Sequence, residues 1–172
     1  MITIENHLYE LVQENLSLFL YQNAVFFCEQ LVAYCNSERN LQLLATSYFH
    51  DNQLQRAIQL LKDSTSPKSR YLLAVCFRRL GEFHDAEVAL RSNDVEDMPM
   101  GAAGLYLLAD SIKQQGRKQE ALKLFEKAVE ASPLMWSAFM EVAEDKSRSS
   151  VVIANLREAA ERASAAARAA AA

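Results

Sequence analysis

Glycine and proline are scarce here, with four and three residues in a chain of 172. So few turn formers argue against hairpin-rich β architectures and against a glycine-rich phosphate loop. Positive charge is not in excess either. With 18 Lys and Arg against 22 Asp and Glu, the formal net charge is −4. A nucleic-acid partner would need a basic face, and Arg78 with Arg79 alone does not make one. The three cysteines, Cys28, Cys35 and Cys76, include no C-x-x-C pair and have no histidine at metal-ligand spacing. That excludes a disulfide framework and a zinc cluster of the usual spacing, and leaves buried thiols on apolar helices in a reducing compartment as the expectation. No stretch approaches the roughly 18 apolar residues of a membrane span. Met1 to Val12 lacks the basic flank and long apolar run of a secretion signal. The composition therefore reads as soluble and intracellular.

Apolar residues make up 51% of the chain. Much of that is alanine, which fills ten of the fourteen positions from Ala159 to Ala172. The residues that build cores lie before about position 145, enough for one domain or a short array of stacked helical units. Helix is the expected default.

The informative pattern is a spacing of small residues. Ala45 and Ala57, Ala74 and Ala86, and Ala109 and Ala121 each stand twelve positions apart. Leu44, Ala45 and Tyr48 are followed by Asn52, then Ala57 and Leu61. Leu73, Ala74 and Phe77 are followed by Gly81, then Ala86 and Leu90. Leu105, Leu108, Ala109 and Ile112 are followed by Gly116, then Ala121, Phe125 and Ala128, closed by Pro133. This is the helix–turn–helix template of the tetratricopeptide repeat (TPR), in which small residues sit where the two helices cross. Asn52, Gly81 and Gly116 fall at the turns, and at Gly116 a positive φ is cheap for glycine. The units are offset by 29 and then 35 residues, Ala45 to Ala74 to Ala109, a variation that inter-repeat loops absorb. The expected fold class is all-α, a right-handed TPR-type solenoid of about four repeats plus a capping helix.

Residues 1–36 read as a degenerate first repeat, with Leu11 and Val12 on its first helix and Ala24, Cys28 and Leu31 on its second. Residues 37–144 read as three repeats and the start of a capping helix bearing Trp136, Phe139, Val142 and Ala143. Residues 145–172 read as a polar linker and an alanine-rich helical tail with little apolar stripe. Leu8, Leu11, Leu16, Leu18, Phe19 and Tyr21 load the first helix pair with more apolar surface than one contact face can use, at an end expected not to be polar. In a TPR stack the first helix of each pair lines the concave side. Arg39, Gln42, Thr46, Phe49 and His50, then Lys68, Tyr71, Val75, Arg78 and Arg79, then Ala103, Tyr106, Asp110, Lys113 and Gln114, are the expected lining. Phe49, Tyr71, Val75 and Tyr106 would form an apolar track beside Arg78, suited to an amphipathic helix and not to a small-molecule substrate. A two-fold homodimer, each first pair docked in its partner's groove, would bury both surfaces.

Catalysis is not expected. His7, His50 and His84 lie in different repeats, and no P-loop, G-x-G-x-x-G or H-E-x-x-H occurs. Glu82, Asp85 and Glu87 read as charge at a helix start. No cofactor and no metal is implied.

Four segments carry a more specific likeness: YQNAVFFCEQL at Tyr21 to Leu31, LLATSYFHDNQLQRAIQLLK at Leu43 to Lys62, SRYLLAVCFRRLGEFHDAEVAL at Ser69 to Leu90, and SPLMWSAFMEVAE at Ser132 to Glu144. They resemble the N-terminal TPR domain of the cell division cycle protein 27 family, the TPR scaffold subunits of the anaphase-promoting complex (cyclosome). The resemblance implies a homodimerising scaffold among other subunits of a multi-subunit ubiquitin ligase. It also implies a part in cell-cycle progression and mitotic exit, in nucleus and cytoplasm. The groove that binds co-activator tails in that family belongs to C-terminal repeats and is not carried over. The Ser92 to Ala102 connection is shorter than in the family, and the alanine-rich tail matches nothing in it. The competing readings are a TPR adaptor that holds an acidic peptide tail on Lys68, Arg78 and Arg79, and a TPR segment of a longer chain bearing an enzyme domain.

Overall fold

The structure is a computed structural model and describes residues 4–91 and 98–144. The expected polar linker and alanine-rich tail lie outside the described residues, as does most of the connection after Arg91. The described residues hold nine helices: α1 (Ile4–Ser17), α2 (Tyr21–Tyr34), α3 (Glu38–His50), α4 (Leu54–Leu61), α5 (Pro67–Leu80), α6 (Phe83–Leu90), α7 (Ala102–Gln114), α8 (Lys118–Ala131) and α9 (Trp136–Ala143). They fall into two compact units, Met1–Ala89 and Leu90–Ala172.

One turn is built four times. Phe19, Asn52, Gly81 and Gly116 all have positive φ, at 60°, 60°, 82° and 86°, and each stands two residues before a helix start. Each amide donates three residues back, to the carbonyls of Leu16, Phe49, Arg78 and Lys113. The following amides of Leu20, Gln53, Glu82 and Arg117 donate five back, to Asn15, Tyr48, Phe77 and Ile112, at 2.9, 2.8, 3.0 and 3.2 Å. This pair of bonds is the Schellman motif, which satisfies the last carbonyls of the first helix and reverses the chain.

The turn fixes where the helices cross. Five residues after the left-handed position stand Ala24, Ala57, Ala86 and Ala121, and seven before it stand Val12, Ala45, Ala74 and Ala109. All eight are at most 1% exposed. The twelve-residue spacing thus extends to the first pair, with Val12 where the others have alanine. Around it packs the core of the first unit, including Val25, Cys28, Leu44, Tyr48, Ile58, Leu61, Leu73 and Cys76. In the second unit, Leu105, Leu108, Ile112, Phe125 and Val129 do the same between α7 and α8.

Within the first unit, neighbouring pairs are joined through a second set of small residues. Asn40 and Ser47 on α3 face α2: the Asn40 amide donates to the Cys35 carbonyl at 2.9 Å, and the Cys28 thiol lies 3.9 Å from the Asn40 carbonyl. The equivalent positions on α5 are Ser69 and Cys76, both buried; in the second unit the same register of α7 carries Gly104 and Ser111, buried within that unit. Gly104 is forced, since a Cβ there would run into the Pro99 carbonyl. On α1 the same two positions are His7 and Glu14, and both are exposed. Those two positions of α1 are therefore polar and exposed, while the apolar surface of the first pair is at its turn, in Leu18, Phe19 and Leu20.

Candidate protein-interaction surfaces

The six residues expected at a dimer interface, Leu8, Leu11, Leu16, Leu18, Phe19 and Tyr21, differ in their surroundings. Leu16 packs on the core of the first unit, and Tyr21 stacks on His50 with ring centroids 5.3 Å apart and planes 17° from parallel. Both are occupied within their own chain, because closure of the α1–α2 turn against α3 covers them. Of Leu16 to Tyr21, expected to face no obvious intrachain neighbour, these two do have one. Leu8 and Leu11 are half-buried along α1. Leu18 and Phe19 stay outside, 58% and 75% exposed, and Leu20 beside them is 48% exposed. Three consecutive apolar side chains at a turn make a knob. The Phe19 ring meets Tyr21 edge-on at 6.2 Å and lines a shallow depression shared with Asn23 and Asp51.

Opposite in character is the face formed by the first helices α1, α3 and α5. The Arg39 guanidinium lies 4.2 Å above the Tyr9 ring, and Arg79 lies 5.1 Å above Phe49. Such cation–π contacts link successive helices and still leave the charge near the surface. The Gln42 amide donates to Ser66 Oγ and Ser69 Oγ, both at 3.1 Å, tying α3 to the start of α5. Tyr71 and Val75 are half-buried and Arg78 is exposed. Phe49 is shared between this face and the core, where its ring packs among buried residues. The expected lining residues of α3 and α5 include Arg39, Lys68, Arg78 and Arg79 and no carboxylate. α1 is the reverse, with Glu5, Glu10 and Glu14 and no lysine or arginine.

Tyr106 belongs to the second unit and leans on Phe125, ring centroids 5.6 Å apart, so it is a packing residue of its own helix pair. Asp110, expected on the groove wall, is buried. Lys113 reaches α9 and pairs with Glu141. That hydrogen bond raises the Lys113 pKa.

Several exposed apolar residues escaped the sequence reading. Phe26 and Tyr34 point away from the buried stripe of Ala24, Cys28 and Leu31 on α2. The alanine spacing could have marked them as outward, because it fixes which stripe of the helix faces in. Trp136, expected on the capping helix, is 67% exposed, while Ala138 and Val142 carry the packing of α9.

The titratable groups have structural roles. Burial pushes the Cys28 thiol up to about 12 and that of Cys76 to about 11, far from the thiolate a nucleophile needs. Cys35 was expected inside a helix, but it caps the end of α2 in an extended conformation and is half-buried. Tyr48 is raised to about 12, first by burial and then by its hydrogen bond to Glu29, 2.8 Å long. Glu87, expected as solvated charge at a helix start, is buried. The three histidines are exposed and stand on α1, α3 and α6. Among the described residues no group of three His, Cys, Asp or Glu could hold a metal ion. None of their helices is long and apolar enough to cross a membrane.

Comparison with known proteins gives this geometry a lineage. Residues 17–93 match the family model of anaphase-promoting complex (cyclosome) subunit 3, and residues 102–134 match the tetratricopeptide repeat. Cell division cycle protein 27 homolog A of Arabidopsis thaliana is 42% identical over 141 residues, covering 81% of this chain and 20% of its own length. The Homo sapiens homolog is 27% identical over 157 residues, covering 84% and 19%. The chain thus spans about a fifth of the curated relatives it matches. Among solved structures, the Cut9 and Hcn1 hetero-tetramer of the anaphase-promoting complex superposes with a TM-score of 0.72 at 20% identity, over 82% of this chain and 29% of that one. A Cdc27 N-terminus superposes at 0.70 and 16% identity, over 81% and 66%. At those identities the superpositions speak for the fold, while the sequence matches speak for the lineage. The chain is an all-α TPR domain of the N-terminal cell division cycle protein 27 type.

Proposed function

We propose that this chain is a protein-interaction scaffold that homodimerises through its first helix pair, as part of an anaphase-promoting complex acting in cell-cycle progression and mitotic exit. It works without catalysis of its own, beside other subunits, in nucleus and cytoplasm. The observation that carries the reading is a complementarity within the first unit. A knob of Leu18, Phe19 and Leu20 follows the acidic helix α1. The face of α3 and α5 offers the half-buried Phe49, Tyr71 and Val75 among Arg39, Lys68, Arg78 and Arg79. A second copy would bring acid to base and apolar to apolar, which favours encounter as well as fit.

The test is molar mass in solution by light scattering, for wild type and for the double variant Leu18→Asp with Phe19→Asp. Both side chains are exposed, so the variant keeps its fold. A dimer that becomes a soluble monomer supports the reading, and a monodisperse wild-type monomer sinks it. Should that monomer bind an acidic C-terminal peptide through Lys68, Arg78 and Arg79, the adaptor reading takes its place.

A further inference from the structure

Phe19 occupies a backbone position its residue type disfavours. At φ 60° it stands in the left-handed region, where the Cβ of a bulky residue crowds the backbone and glycine or asparagine is usual. The other three copies of this turn obey that rule with Asn52, Gly81 and Gly116. Among the described residues its side chain gains little in return. The ring is 75% exposed and its one aromatic neighbour is an edge contact with Tyr21. A residue held in a costly conformation while contributing little to its own core calls for an explanation outside the monomer.

We infer that Phe19 is the anchor of the self-association, presented by a turn that sacrifices stability of the single chain to display the ring. This rests on the homodimer reading above and deepens it by naming the residue that dominates the contact. A second copy is the fitting occupant on grounds of charge. The knob follows directly on Glu10 and Glu14, and the apolar residues able to receive an aromatic ring, Tyr71 and Val75, lie among the cations of α3 and α5. The left-handed turn lifts three successive side chains clear of both helices. A glycine or asparagine there would keep the same hydrogen bonds and lose the anchor. Interfaces concentrate their energy in such aromatic side chains.

The experiment replaces Phe19 by the residue that another copy of the turn already uses, Phe19→Asn. Self-association is followed by sedimentation velocity over a concentration series. Urea unfolding is followed by circular dichroism at concentrations where wild type and variant are both monomeric. The expected result is a pair of opposite changes: the dissociation constant rises by about tenfold or more, and the urea midpoint of the monomer rises as well. Unchanged association of the variant beside a dimeric wild type overturns the anchor while leaving the dimer reading intact. Weaker association with a lower urea midpoint also overturns it, because the turn would then bear no cost. A wild type that is monomeric throughout the series removes the dimer reading itself, and the anchor with it.

Discussion

The α1–α2 turn and the α5–α6 turn have the same backbone and opposite residues. In both, the left-handed residue bonds three back and its successor bonds five back, with the first alanine of the next helix five positions on. In one the left-handed residue is Phe19 and in the other Gly81. The same turn and the same crossing thus occur together whichever residue fills the slot, and that residue is a separate choice. Where glycine fills it, local preference and global packing agree. Where phenylalanine fills it, packing overrides preference, and such conflicts are expected mainly where something other than stability is selected.

The largest effect should come from attacking what the copies share. Ala45 is fully buried at the α3–α4 crossing, where Val12 serves the first pair. Ala45→Leu inserts three carbons into a contact with no room, at a cost of about 3 kcal/mol, read as a lower urea midpoint. A shift of less than about 0.5 kcal/mol would mean the crossing is looser than its burial implies.

Next in size is the transfer of the first pair's exception to its neighbours. Asn52→Phe and Gly81→Phe place an aromatic residue at φ 60° and 82°. Each should cost about 1–3 kcal/mol from backbone conformation, read as a lower urea midpoint. If both variants prove neutral, the left-handed slot carries no penalty, and the exceptional status of Phe19 dissolves with it.

How much of this was legible beforehand follows from the same comparison. Three helix pairs and their turns could be read because alanine at the crossings and asparagine or glycine at the turns appear where geometry demands them, at Ala45, Ala57 and Asn52 and in the two later copies. The fourth turn could not be placed, because Val12 is not small and Phe19 does not predict a positive φ. Helical periodicity also marked the face of α3 and α5, but it could not tell which residues a neighbouring side chain would cover. Tyr21 under His50, Tyr106 against Phe125 and the buried Asp110 all depend on a partner distant in sequence. The two polar, exposed positions of α1 were legible in principle: His7 and Glu14 stand where the later helices carry small buried residues. That register becomes visible only once Val12 is aligned with the alanines.

The smallest expected effect is the sharpest check on the equivalence of the slots. Asparagine reaches the left-handed region more readily than other residues with a Cβ, since its short polar side chain finds local hydrogen bonds. Gly81 has no atom within 4 Å of where a Cβ would stand, so Gly81→Asn meets no steric obstacle. Asparagine also restricts the unfolded chain relative to glycine, which offsets part of its residual preference against positive φ. The net change should lie within about 0.5 kcal/mol, well below that of Gly81→Phe at the same position. A loss as large as the phenylalanine variant's would mean that the slot discriminates by the mere presence of a Cβ. The Asn52 turn would then differ in kind from the Gly81 turn, despite their shared hydrogen bonds.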